Sequence, residues 1–139
     1  MKFLALAASA LTLAGAAVAQ EAVRFGIVSV SPSTIKPGET FTVHYNSTLA
    51  AHQPVYYDAY IQGILSSGFV QPQYLLQRTT FPTDGTKNIY FNTTLPNIGY
   101  VNNASYSVWA YITYPVQDES GTSALEYGGV SYPVGIDMS

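Results

Sequence analysis

Two histidines, eight acidic residues and no cysteine are what this sequence offers for metal, acid–base or nucleophilic chemistry. His44 and His52 are too few for a three-imidazole zinc site and lack His-x-x-x-His spacing. His44 reads as a solvated strand residue. His52, in "STLAAHQP", reads as a loop residue, with Asp118 or Glu119 of "VQDESGTSALEY" as partners if the two loops share one end of the fold. Glycoside hydrolysis needs two carboxylates opposed across a cleft, one with its pKa raised by burial. Asp118 and Glu119 instead sit side by side among Gln, Ser, Gly and Thr, which predicts solvation. With Glu126 they lack the alternating Asp/Asn pattern of a calcium loop. A copper-dependent polysaccharide monooxygenase requires His as its first mature residue, and Gln20 is expected there. No G-x-S-x-G nucleophile turn occurs, and zero Cys removes thiol catalysis and thiolate metal sites. The sequence therefore predicts no catalytic residue, no metal, no cofactor and no enzymatic activity.

The compartment is written at the start. "MKFLALAASALTLAGAAVAQ" combines one Lys, a run of apolar and small residues, and Ala17-Val18-Ala19 before Gln20. This is the pattern of a secretory leader over 1–19 with an A-x-A cleavage site. The run is too short and too Ala-rich for a membrane span. The remainder, 20–139, has the length of one domain, which buries roughly two-thirds of the surface its unfolded chain exposes. Removing Lys2 leaves Arg24, Lys36, Arg78 and Lys87 against eight acidic residues. That balance argues against nucleic acid or anionic membrane as a partner. Small secreted domains usually lean on disulfides; here the aromatic residues must supply the core. Sequons at Asn46, Asn92 and Asn103 fit an extracellular glycoprotein.

The elements that must position any site are strands. Between Val23 and Ile136 short alternating runs are punctuated by Gly, Pro, Asn and Ser, with no amphipathic helical stretch. Seven strands are expected, over 23–30, 40–46, 55–64, 74–81, 87–93, 105–114 and 127–136. "KPGE" places Pro and Gly at the central positions of a type II turn that opens the second strand. This spacing predicts an all-β, immunoglobulin-like sandwich of two antiparallel sheets. Tyr106, downstream of Leu95-Pro96, stands where a tyrosine corner would.

Period-2 alternation then sorts side chains by face. Phe41, Val43 and Tyr45 point inward, as do Tyr57, Ala59 and Ile61, and Tyr106, Val108, Ala110, Ile112 and Tyr114. Outward fall Asn46 and Asn92 on one sheet, and Tyr56, Tyr60, Trp109 and Tyr111 on the other. The result is a glycan-bearing sheet and a bare one with clustered aromatics, which bury much area at small entropic cost. The binding residues expected are Tyr56, Tyr60, Trp109, Tyr111, Asp118 and Glu119. Their ligand is a protein, or a polysaccharide whose rings stack on Trp109 and its Tyr neighbours. As outward residues, Trp109 and Tyr111 are expected to contribute little to stability.

"STIKPGETFTV", "YDAYI" and the closing "ALEYGGVSYPVGI", in that order behind an Ala-rich leader, resemble the fungal necrosis-inducing secreted protein family; the match is tightest over 34–41. The resemblance implies a secreted effector that suppresses plant immunity by binding receptor-associated kinases, and that triggers cell death. In that family the C-terminal segment carries the effect, which here corresponds to 106–136.

Overall fold

The computed structural model describes residues 24–139. The expected leader, the mature start at Gln20 and the first residue of the strand expected over 23–30 lie outside the described residues. Eight strands follow one another: β1 (Ile27–Ser31), β2 (Thr34–Ile35), β3 (Thr40–Asn46), β4 (Tyr56–Leu65), β5 (Tyr74–Thr80), β6 (Asn88–Thr94), β7 (Ala104–Gln117) and β8 (Ser123–Ile136). They form a three-stranded sheet ordered β1-β3-β6 and a five-stranded sheet ordered β2-β8-β7-β4-β5. Every pairing is antiparallel except the two-residue parallel contact of β2 with β8. This is an all-β, immunoglobulin-like sandwich, as the sequence predicts.

Local chemistry explains the connections. In "KPGE", Lys36 O accepts a hydrogen bond from Glu39 N at 2.9 Å, and Gly38 takes the positive φ of 88° that a type II turn demands. The Tyr106 hydroxyl accepts a hydrogen bond from Val101 N at 3.0 Å, which forms the tyrosine corner.

The core follows the alternation. Val43, Tyr45, Tyr57, Ala59, Ile61, Val108, Ala110 and Ile112 are all fully buried. With no disulfide to pin the sheets together, aromatics do so: Tyr45 of β3 stacks on Tyr57 of β4 at 5.0 Å, and Phe81 meets Tyr45 edge-on at 6.0 Å. Burial pushes both tyrosine pKa values up. Their hydroxyls differ, however. Tyr45 donates to Phe25 O at 2.6 Å, whereas Tyr57 OH is buried with no partner. A buried polar group without a partner costs about 1–3 kcal/mol, and a net hydrogen bond is worth about 1 kcal/mol. Tyr57→Phe is therefore expected to leave the denaturant midpoint unchanged or raise it, and Tyr45→Phe to lower stability by about 1–2 kcal/mol. Equal losses in the two variants would contradict this assignment.

Three expectations are corrected. The first strand starts at Ile27, because Gly26 adopts a φ of 91° that breaks an extended run. β2, inside a segment that reads as pure turn, was not expected. The strands expected over 105–114 and 127–136 extend to Gln117 and back to Ser123, so most of the expected loop is hairpin.

Candidate functional site

The outer face of the five-stranded sheet is built in cross-strand rows. One row runs Arg78 (β5), Asp58 (β4), Tyr111 (β7), Gly129 (β8); the next runs Leu75, Tyr60, Trp109, Ser131; on the other side Thr80, Tyr56, Thr113 and Tyr127 align. A register shift between Ala59 and Tyr60 brings Leu75 rather than Leu76 opposite Tyr60.

Within these rows the aromatic side chains form a ladder. Trp109 stacks on Tyr111 at 5.4 Å and 28°, and Tyr111 stacks on Tyr127 at 5.0 Å and 14°. Tyr60 meets Tyr111 edge-on at 5.6 Å and 86°. Gln73 Nε2 donates to the Tyr111 hydroxyl at 2.9 Å. Both faces of the Tyr111 ring are thus covered by neighbouring rings, and the ladder offers ring edges and hydroxyls to solvent. Burial raises the Tyr127 pKa, assisted by Tyr60.

A bidentate ion pair lies beside the ladder. Arg78 Nε and Nη2 donate to the two Asp58 carboxylate oxygens at 2.9 and 3.2 Å. The Asp58 side chain is largely covered, while that of Arg78 is 68% exposed. Asp58 raises the Arg78 pKa further, so this cation is permanent. The Tyr60 side chain also engages this guanidinium, which ties the ion pair to the ladder.

The structure brings Tyr60, Trp109 and Tyr111 together and sets Tyr56 across Thr113 from Tyr127. Tyr127, half exposed at the end of the ladder, was missed. The alternation around buried Val130 would have placed it outward. Asp118 and Glu119 lie apart, in the turn joining β7 and β8. Asp118 Oδ1 accepts from Ser120 N, Ser120 Oγ and Thr122 N at 2.9, 2.6 and 2.8 Å. Those bonds, the Ser120 side chain's foremost, hold its pKa below the usual carboxylate range. Asp118 therefore closes the turn. His52, read as a loop residue, stacks on Tyr114 at 5.1 Å, near Glu126, which is paired with Arg24. Tyr114 and Arg24 hold the Glu126 pKa down.

On the opposite sheet Thr42 Oγ1 donates to Asn92 Oδ1 at 2.8 Å, and Asn46 Oδ1 accepts from Thr48 N at 2.8 Å. In both sequons the bond engages the amide oxygen and not the nitrogen that carries an N-glycan. Asn103 is exposed just before β7. His44, expected as a solvated residue, stacks on Tyr90 at 4.1 Å, with its Nε2 2.8 Å from Asn88 Oδ1. Among the described residues no group of three or more His, Cys, Asp or Glu is placed to hold a metal ion, and no helix is long and apolar enough to cross a membrane.

No protein-family model matches the chain, and no curated protein matches it. Among solved structures it is similar to superoxide reductase (neelaredoxin) from Ignicoccus hospitalis, at 15% identity over 79% of this chain and 80% of that one, with a TM-score of 0.46. A single-residue variant of that protein aligns over 87% and 86% with a TM-score of 0.49, again at 15% identity. The sporulation control protein Spo0M from Bacillus subtilis aligns at 13% identity over 81% of this chain and 49% of that one, with a TM-score of 0.45. The likeness is one of fold alone. It nevertheless corrects one expectation: superoxide reductases are enzymes, so the exclusion of enzymatic activity drawn from the sequence does not stand.

Proposed function

We propose that this chain is a secreted recognition domain that binds a protein ligand through the outer face of the five-stranded sheet, with the sequons at Asn46 and Asn92 on the other sheet. The observation that carries the reading is the ladder Trp109–Tyr111–Tyr127, flanked by the exposed Arg78 guanidinium. Aromatic and Arg side chains dominate protein interfaces because they combine large buried area with directional hydrogen bonds. A polysaccharide module needs flat ring faces open to sugar rings, and here the central ring has none free. The resemblance over 34–41 to necrosis-inducing secreted proteins supports a host-surface target, with receptor-associated kinases as the implied class.

The test measures affinity for a protein captured from host extracellular and membrane fractions by the secreted, glycosylated domain. Tyr127→Ala and Tyr56→Ala, both at half-exposed positions, are expected to weaken binding about thirtyfold, or about 2 kcal/mol, if either is a hot spot. Thr42→Ala on the opposite sheet is expected to change nothing. Retention on insoluble chitin, β-glucan or cellulose that is lost in Trp109→Ala would replace this reading with a wall-binding module.

A further inference from the structure

With no cysteine in the chain, the side chains that most readily give up a single electron are its tyrosines and its one tryptophan. Two phenols that each lose a hydrogen atom can join through the ring carbons beside the oxygen, provided the rings already meet face to face. An edge-on contact fails, because it aims a C–H bond and not a p orbital at the neighbouring ring. Four tyrosine pairs among the described residues have rings in contact. Tyr100 with Tyr106 and Tyr60 with Tyr111 meet edge-on, at 76° and 86°. Tyr45 and Tyr57 are nearly parallel, but both are fully buried and no oxidant reaches them.

Tyr111 and Tyr127 satisfy both conditions. Their rings are 5.0 Å apart and 14° from parallel, and Tyr127 is 53% exposed. The strands fix this arrangement: Tyr127 is the diagonal neighbour of Tyr111, and Gly129, directly opposite Tyr111, has no side chain to keep the Tyr127 ring away. Exposure alone would choose a different residue. Tyr90 is 65% exposed, yet its ring lies against His44 and not against a second phenol.

We propose that Tyr111 and Tyr127 form a site of oxidative cross-linking, joined by a carbon–carbon bond when a haem peroxidase and hydrogen peroxide act on this chain. The oxidant first removes a hydrogen atom from the exposed Tyr127. Across the stack Tyr111 passes an electron and a proton to that radical, and a second removal at Tyr127 leaves both rings as phenoxyl radicals. Gln73 donates to the Tyr111 oxygen, a bond that survives the loss of the phenolic hydrogen and keeps the ring in place. One Cε–Cε bond then forms, each ring loses its Cε hydrogen to regain its hydroxyl, and the peroxide is reduced to two waters. The link closes a loop between 111 and 127 and constrains the unfolded chain as a disulfide does.

The test treats the secreted, glycosylated domain, at high dilution, with a haem peroxidase and hydrogen peroxide. Blue biaryl fluorescence and an intact mass lower by two hydrogens are expected in the single chain. After glycan removal, cleavage at Lys87, Glu119 and Glu126 separates 88–119, with Tyr111, from 127–139, with Tyr127. These two peptides are expected to be joined, with fragmentation placing the bond at Tyr111 and Tyr127. Tyr111→Phe and Tyr127→Phe keep the ring contacts and are each expected to lose the link, whereas Tyr90→Phe is expected to form it in full. Absence of the joined peptides from the wild type, a link that persists in either ladder variant, a bond from Tyr111 to Tyr60 or Trp109 instead, or links only between chains would each overturn the proposal.

Discussion

Gly26→Ala is expected to destabilise the domain by about 2–5 kcal/mol, which sums a left-handed backbone penalty of about 1–2 with an overpacking cost of about 1–3. A methyl group on Gly26 would lie 2.6 Å from Asn46 O and 2.8 Å from the Tyr45 hydroxyl. Neither neighbour is free to retreat. Asn46 O belongs to the backbone of β3, and the Tyr45 hydroxyl is held by Phe25 O. Downstream contacts fail with it, because the Phe25 ring fills the space where a Gly128 side chain would begin and Arg24 pairs with Glu126. Gly38→Ala is the control: it has the same sign of φ but nothing within 4 Å, so only the backbone penalty of about 1–2 kcal/mol applies. Equal denaturant midpoints for the two variants would show that Gly26 is not a packing site.

Tyr111→Ala is expected to cost about 1.5–4.5 kcal/mol, at about 0.5–1.5 for each of its three ring contacts. Tyr127→Ala removes a single stack from the end of the ladder and is expected to cost about 0.5–1.5 kcal/mol. Tyr111→Phe keeps every ring contact and loses only the hydrogen bond from Gln73, worth about 1 kcal/mol or less. Chemical denaturation of the three variants gives the ranking directly. A Tyr111→Ala domain within about 0.5 kcal/mol of wild type, a change ordinary for a surface substitution, would reduce the ladder to decoration. This prediction reverses the sequence expectation for Tyr111. The parity that points it outward is right, but direction does not report coverage, and a wide ring between two others on a sheet surface is half-buried.

Strand faces were legible because one buried side imposes a strict period of two. Thr40–Asn46 carries that signal cleanly, and its limits and inward set agree with the structure. Where the signal fades, so does the reading. β2 is two residues long, too short to show any period, and exists because Thr34 and Ile35 find the end of β8. The outer parts of β7 and β8 include Gln117, Ser123, Ala124 and Leu125, all exposed, so no alternation marks them as strand. His52 could not be assigned a partner from sequence because loop ends have no periodicity, and its place over Tyr114 is decided by the meeting of separate elements. The ladder was half legible: its members could be listed, while their stacking depends on rows that only the register supplies.

The long pairing of β7 with β8 also bears on how the chain folds. Its innermost rung, Gln117 with Ser123, closes a very short turn, whereas Thr40 and Thr94 in β3 and β6 meet from 54 residues apart. Loop-closure entropy makes the second event costlier by about 2 kcal/mol. The hairpin is therefore expected to close before β3 meets β6, and β4 adds to its free edge. During synthesis the order runs differently. β8, the partner of β7, is the last strand to leave the ribosome, so β1 with β3 and β4 with β5 can pair earlier, while the five-stranded sheet is completed only once residue 136 has emerged.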